Sequence, residues 1–161
     1  MTDLSASEYS RRKKLALCFA ASFAVMLSGG LFVPGEWYAA LAKPSWNPPN
    51  WVFGPAWLVL YCMMAVAAWR VWCTPPSGER RNALQWHGVQ LVLNAAWSAI
   101  FFGLKSPGMA LVEIAFLYLA VTLTLWKFFR LDRTAGWMMV PYLAWLTFAS
   151  ALNAAVFWLN R

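Results

Sequence analysis

Lys43–Trp57 reads KPSWNPPNWVFGPAW, fifteen residues with four prolines and three tryptophans. It lies between two apolar runs, where a short polar linker would suffice. Pro44, Pro48, Pro49 and Pro55 fix φ and push the residues before them toward extended backbone. Such a connector loses little entropy on ordering, so it can hold Trp37, Trp46 and Trp51 as a fixed roof. A pocket roofed by indoles favours flat, apolar π-systems. Lys43 is placed either near an anionic edge of such a ligand or, by snorkelling, among headgroups.

The rest of the chain says what lies under that roof. Hydrophobic residues make up 61% of 161 and charged residues 12%, against about 25% charged in an ordinary soluble domain. Five uncharged runs follow one another: Leu15–Gly35, Pro44–Trp69, Asn82–Leu104, Ser106–Trp126 (broken only by Glu113) and Ala135–Asn160. Each reaches the ~20 residues that cross a bilayer as a helix. The expected fold is an all-α membrane protein, a five-transmembrane-helix bundle with a structured Trp/Pro-rich first loop and spans near 15–33, 51–72, 83–103, 108–128 and 136–158. The domain division is a basic N-terminal tail, 1–14, and a single transmembrane domain, 15–161.

Five spans put the termini on opposite sides. Arg11, Arg12, Lys13, Lys14, Arg70, Arg80, Arg81, Lys127, Arg130 and Arg133 fall on the N-terminal side, and Lys43, Lys105 and Arg161 on the other. In an inner membrane this bias places the N-terminus in the cytoplasm. The net charge of +7 thus reports topology, and no basic–aromatic motif points to nucleic acid. RRKK before LALCFAASFAVML also has the outline of a signal peptide, but no clear cleavage site follows. Ala20, Ala24 and Ser28 recur every fourth residue and suggest a close helix contact there.

Ordinary catalytic machinery is missing from the pattern. Cys18, Cys62 and Cys73 form no C-x-x-C pair and read as small packing residues. His87 stands alone and makes no metal motif; near the start of its helix it reads as interfacial. Glu113, ~8 Å into its helix at 1.5 Å per residue, is either functional or reaches the headgroups.

Trp57 and Tyr61, Asn94 and Trp97, and Trp145, Ala149 and Asn153 each share a helix face. All lie in the half of the bundle nearest the first loop. A buried amide needs a partner, and for Asn94 and Asn153 that is another helix or a ligand. Ala149 leaves room, and Pro141 is expected to kink the last helix. The cleft would use Trp51, Trp57, Trp97 and Trp145 as stacking walls.

Trp37-Tyr38-x-x-Leu41-x-Lys43-Pro44-x-Trp46-x-Pro48-Pro49-x-Trp51-x-Phe53-x-x-x-Trp57-x-x-x-Tyr61 resembles the signature of the TspO/MBR family, the tryptophan-rich sensory proteins related to the mitochondrial translocator protein or peripheral-type benzodiazepine receptor. Asn94-x-x-Trp97-x-x-x-Phe101-Phe102-Gly103 and Pro141-Tyr142-Leu143-x-Trp145-x-x-Phe148-Ala149-x-x-Leu152-Asn153 extend the resemblance over nearly the whole chain. It implies a five-helix bundle, usually a homodimer. It implies a sensor or regulator that binds protoporphyrin IX, haem or other flat hydrophobic ligands, with no obligatory cofactor and no metal site. The implied ligand-binding residues are Trp37, Trp46, Trp51, Trp57, Tyr61, Asn94, Trp97, Trp145, Ala149, Leu152 and Asn153. Some relatives promote light-dependent porphyrin breakdown, for which Trp57 and Trp145 would be the catalytic pair. A transporter of porphyrins, sterols or other lipophilic molecules is the alternative. The sterol motif of some relatives needs a late Tyr followed by Arg or Lys; here Ala154 follows Asn153 and no later Tyr exists, so sterol binding through that end is not expected. With His87 at the far end of its helix, metal-free porphyrin is expected to be preferred over ligated haem.

Overall fold

The structure is a computed structural model that describes the backbone of residues 2–32 and 35–161 and the side chains of 8–32 and 35–161. Met1 of the basic tail and Val33, the expected end of the first span, lie outside the described residues. Every regular element among them is helical: α1 (Thr2–Gly30), α2 (Glu36–Ala40), a 3₁₀ turn (Asn50–Val52), α3 (Phe53–Trp72), α4 (Gly78–Ser98), a π-helical turn (Ala99–Gly103), α5 (Pro107–Leu131) and α6 (Arg133–Leu159).

Local chemistry sets the boundaries. Ser77 caps α4, its Oγ accepting from the Arg80 amide at 3.1 Å. Ser106 caps α5, with Pro107 at the first helical position, where a missing N–H costs nothing. Asp132 alone separates α5 from α6; its Oδ1 accepts from the Ala135 amide at 2.9 Å, and its carboxylate pairs with Arg70 at 2.9 Å. Burial by itself would raise the Asp132 pKa, but the Arg70 hydrogen bond, the amides of α6 and the Arg70 charge together hold it below its ordinary 3.8. A depressed carboxylate stabilises the fold above its unfolded pKa and loses that contribution as pH falls through the lower folded value. Acid unfolding of the wild type should therefore gain a component below pH 3.8 that Asp132→Asn lacks, read by circular dichroism in detergent.

The long helices close a ring in the order α1, α3, α6, α5, α4 and back to α1. Its interior is filled by Met64, Val71, Leu117, Val121, Phe128, Met139, Tyr142 and Leu146. A smaller cluster at the loop end contains Tyr38, Phe101, Ala110, Leu152 and Val156. Gly136 lets Phe129 lie directly on α6, since a Cβ there would meet the ring at 2.4 Å.

Four segments are long and apolar enough to cross a membrane: Glu8–Gly30, Asn50–Trp72, Pro107–Leu131 and Arg133–Leu159. The fifth expected span, α4, is not among them. Its inward side carries His87, Gln90 and Asn94, all buried, and these polar groups lower its apolarity. The π turn that follows closes with the Leu104 amide on the Ala99 carbonyl at 2.9 Å. Lys105 then takes a left-handed φ of 52°, the usual end of a helix though more often filled by Gly.

Three expectations about packing change. Of the expected small-residue face, Ala20 and Ala24 are exposed and Ser28 is half-buried, and α1 turns Cys18 and Ser22 inward instead. His87 is not interfacial: it is buried, its ring lies 5.7 Å from Phe128, and its Nδ1 accepts from Gln90 Nε2 at 3.2 Å. Glu113 does not reach a headgroup layer: it turns into the bundle, and neither carboxyl oxygen has a partner among the described residues. The basic residues Arg11–Lys14 continue α1 as helix, and α6 runs unbroken through Pro141.

Candidate functional site: an aromatic nest under the first loop

The first loop is folded back on itself and on two helices. Tyr38 is buried against Phe101 and Phe102, with ring centroids 6.3 and 5.4 Å away. Trp37 meets Phe101 edge-on at 5.9 Å. Lys43 is engaged within the loop itself. Its ammonium lies 4.6 Å over the Tyr38 ring and donates to the carbonyls of Ala39 and Leu41 at 3.3 and 3.0 Å, so it holds the end of α2. The loop is also tied to the end of the chain. Asn160 Oδ1 accepts from the Ala42 amide, and Asn160 Nδ2 donates to the Ala42 carbonyl, both at 2.9 Å.

Beneath the loop, rings from α3 and α6 converge. Trp57 packs on Tyr61, Tyr142 and Trp145 at 5.6, 6.2 and 6.3 Å. Trp145 meets Phe53 at 5.9 Å and Phe148 at 5.5 Å. Trp46 reaches down from the loop to Phe148 at 5.8 Å. Most of these contacts are edge-on or tilted, the geometry the ring quadrupoles favour. One polar group of the nest is fully buried and unspent: the indole Nε1 of Trp145 has no acceptor among the described residues.

The two amides expected to anchor a ligand are committed to helices. Asn94 accepts from the Tyr61 hydroxyl and donates to the Tyr142 hydroxyl at 2.9 Å, joining α4 to α3 and α6. Asn153 accepts from Trp97 Nε1 at 3.1 Å and donates to the Pro107 carbonyl at 2.8 Å, joining α6 to α4 and α5. Trp97 stacks on Phe101 at 4.9 Å. Of the residues singled out from the sequence, Trp46, Trp57, Tyr61 and Trp145 share the nest. Ala149 is half-buried against the core that holds Trp57 and Trp145, whereas Trp37 and Leu152 pack with the loop-end cluster. Trp51 is 75% exposed and joins neither. Phe53, Tyr142 and Phe148 belong to the quoted motifs but not to the expected ligand-binding residues, although they sit four residues before Trp57 and three on either side of Trp145, the spacings that share a helix face. No group of three or more His, Cys, Asp or Glu residues able to hold a metal occurs among the described residues.

The sequence model of the TspO/MBR family matches residues 15–159. The chain is 42% identical over 153 residues to the tryptophan-rich protein TspO of Chlorobaculum tepidum, covering 91% of this chain and 95% of that one. It is 45% identical over 141 residues to the tryptophan-rich sensory protein of Cereibacter sphaeroides, covering 88% and 87%. It is 41% identical over 134 residues to the translocator protein of Homo sapiens, covering 80% and 79%. With apolar helices able to span a bilayer and a family match over nearly its whole length, this chain is a membrane protein of the TspO/MBR family.

Proposed function

We propose that this chain is a membrane sensor that binds a tetrapyrrole or a similarly flat hydrophobic molecule in the aromatic nest under the first loop. In this reading α4 is the fifth span, shielded by its neighbours, and the N-terminus is cytoplasmic. The observation that carries it is the nest itself: the rings of Phe53, Trp57 and Phe148 pack on Trp145, whose buried indole N–H has no acceptor among the described residues, and Trp46, Tyr61 and Tyr142 extend the cluster. An orphan donor in apolar surroundings is costly, and a ligand bearing a carbonyl, carboxylate or ring nitrogen would relieve it. The only hydroxyl facing Trp57 from α3 belongs to Tyr61, which is engaged with Asn94, so a metal-free macrocycle suits the nest better than one needing an axial ligand.

A dark titration of the detergent-purified protein with protoporphyrin IX tests this through tryptophan quenching. The wild type should saturate at one site. Trp57→Phe/Trp145→Phe keeps rings but loses indole area and the donor, and should weaken binding about fivefold, at ~0.5 kcal/mol per ring. Linear quenching in both proteins would overturn the reading. The contact of two oxidisable indoles at 6.3 Å favours a second one, light-dependent porphyrin breakdown; illumination should then give a defined product in the wild type and none in the double variant.

A further inference from the structure

A concave site lies at the opposite end of the bundle from the nest. A groove of about 220 Å³ runs between the start of α4 and the end of α5, lined by Gly78, Glu79, Asn82, Trp126, Lys127 and Arg130. Trp126 and Arg130 are one helical turn apart, so α5 presents them on the same side. The Arg130 guanidinium lies 4.2 Å over the Trp126 ring and the Lys127 ammonium 5.4 Å from its centre. Two cations thus converge on one indole. Neither has a carboxylate within salt-bridge distance among the described residues, although Glu79 lines the same groove. The positive end of the α4 dipole adds to this field. The neighbouring groove of about 190 Å³ between α1 and α3 is different: there Arg70 is already neutralised by Asp132.

We infer that the α4–α5 groove binds the phosphate headgroup of an anionic phospholipid. Two features point to a lipid and not to a soluble anion. The groove opens where the apolar part of α5 ends, at a half-exposed tryptophan suited to the interface. An exposed apolar stripe also leads straight into it along α5: Val112, Phe116, Leu119 and Trp126 recur at helical spacing and are 62, 61, 56 and 48% exposed. A headgroup seated on Lys127 and Arg130 would lay its acyl chains down this stripe. The inference rests on the proposed topology, in which this end faces the cytoplasmic leaflet, but not on any ligand of the nest.

Native mass spectrometry of the full chain, released from nanodiscs of mixed phosphatidylglycerol and phosphatidylcholine, tests it. The wild type should retain one phosphatidylglycerol in preference to phosphatidylcholine. Lys127→Gln/Arg130→Gln should lose that preference about thirtyfold, at ~1 kcal/mol per basic side chain near an anionic surface. The charge-matched Lys13→Gln/Arg133→Gln should keep it, and so should the charge-preserving Lys127→Arg, which guards against a folding defect. Equal retention of both lipids by the wild type would sink the site outright, and equal loss in the two charge-matched doubles would replace it by general rim charge. Displacement of the lipid by excess inorganic phosphate would show a free-anion site and overturn the lipid assignment; survival of the complex supports it. Porphyrin quenching, followed in parallel, reports on the nest alone.

Discussion

Asn94→Leu should destabilise the bundle by about 2 kcal/mol, seen as loss of tertiary structure at lower denaturant in detergent. The side chains are similar in size, so packing changes little. What changes is that the Tyr61 hydroxyl loses its acceptor and the Tyr142 hydroxyl loses its donor, both in the buried centre of the ring. Leaving buried polar groups unmet costs ~1–3 kcal/mol each in soluble proteins, whereas interhelical hydrogen bonds in a membrane protein average ~0.6 and reach ~1.7. The membrane figures govern here, and two such bonds, between their average and their maximum, bracket the stated value at ~1–3 kcal/mol. The sharper half of the test is the compensated variant: Tyr61→Phe/Asn94→Leu/Tyr142→Phe removes donors and acceptors together and should recover most of the loss. A triple variant as unstable as the sum of its parts would mean that ring packing, and not the hydrogen-bonded trio, sets the effect.

Asn160→Ala should loosen the first loop. The carboxamide meets both backbone groups of Ala42 across 118 positions of sequence, as one strand would meet another. Both bonds are exposed, so each is worth ~0.5–1 kcal/mol, the low end for a protein hydrogen bond. Losing the pair raises the open population roughly tenfold. Amide hydrogen exchange over residues 35–52 should speed up by that factor, while α3 and α6 stay protected. If the nest binds porphyrin, its association and dissociation should both quicken with little change in affinity, because the latch touches the lid and not the ligand. Unchanged loop exchange would show that Tyr38 and Trp46, docked on Phe102 and Phe148, hold the loop without it.

Much of this architecture was legible beforehand, for a physical reason. Uncharged runs punctuated by arginines and lysines mark long apolar helices whatever their packing, so the span boundaries fell close to α3, α5 and α6. The i, i+4 spacing of Trp57 and Tyr61 likewise put two members of the nest on one face. Side-chain direction within a helix was less legible. Ala20 and Ala24 look like a packing face, but sequence spacing does not say whether a stripe turns in or out. His87 and Glu113 were placed by depth along the helix, and depth says nothing about which side of the helix they occupy. Trp51 shares a proline-rich segment with Trp46, yet lies just where the 3₁₀ turn of Asn50–Val52 rotates it outward. The amides were legible as needing partners; which partners they chose required the neighbouring helices.

The inward-facing polar stripe of α4 bears on how the protein is made. Judged alone, that helix offers a membrane four polar side chains, Gln85, His87, Gln90 and Asn94, in about three turns. Judged within the ring, all but Gln85 are covered, and Asn94 is matched by tyrosines on α3 and α6. If α4 is the fifth span, as proposed, its place in the bilayer is not written into its own hydropathy but lent by helices on either side of it in the chain, one of which emerges from the ribosome last. Insertion of this segment would then be a collective act, and a nascent chain halted before α6 would hold α4 in the bilayer on loan.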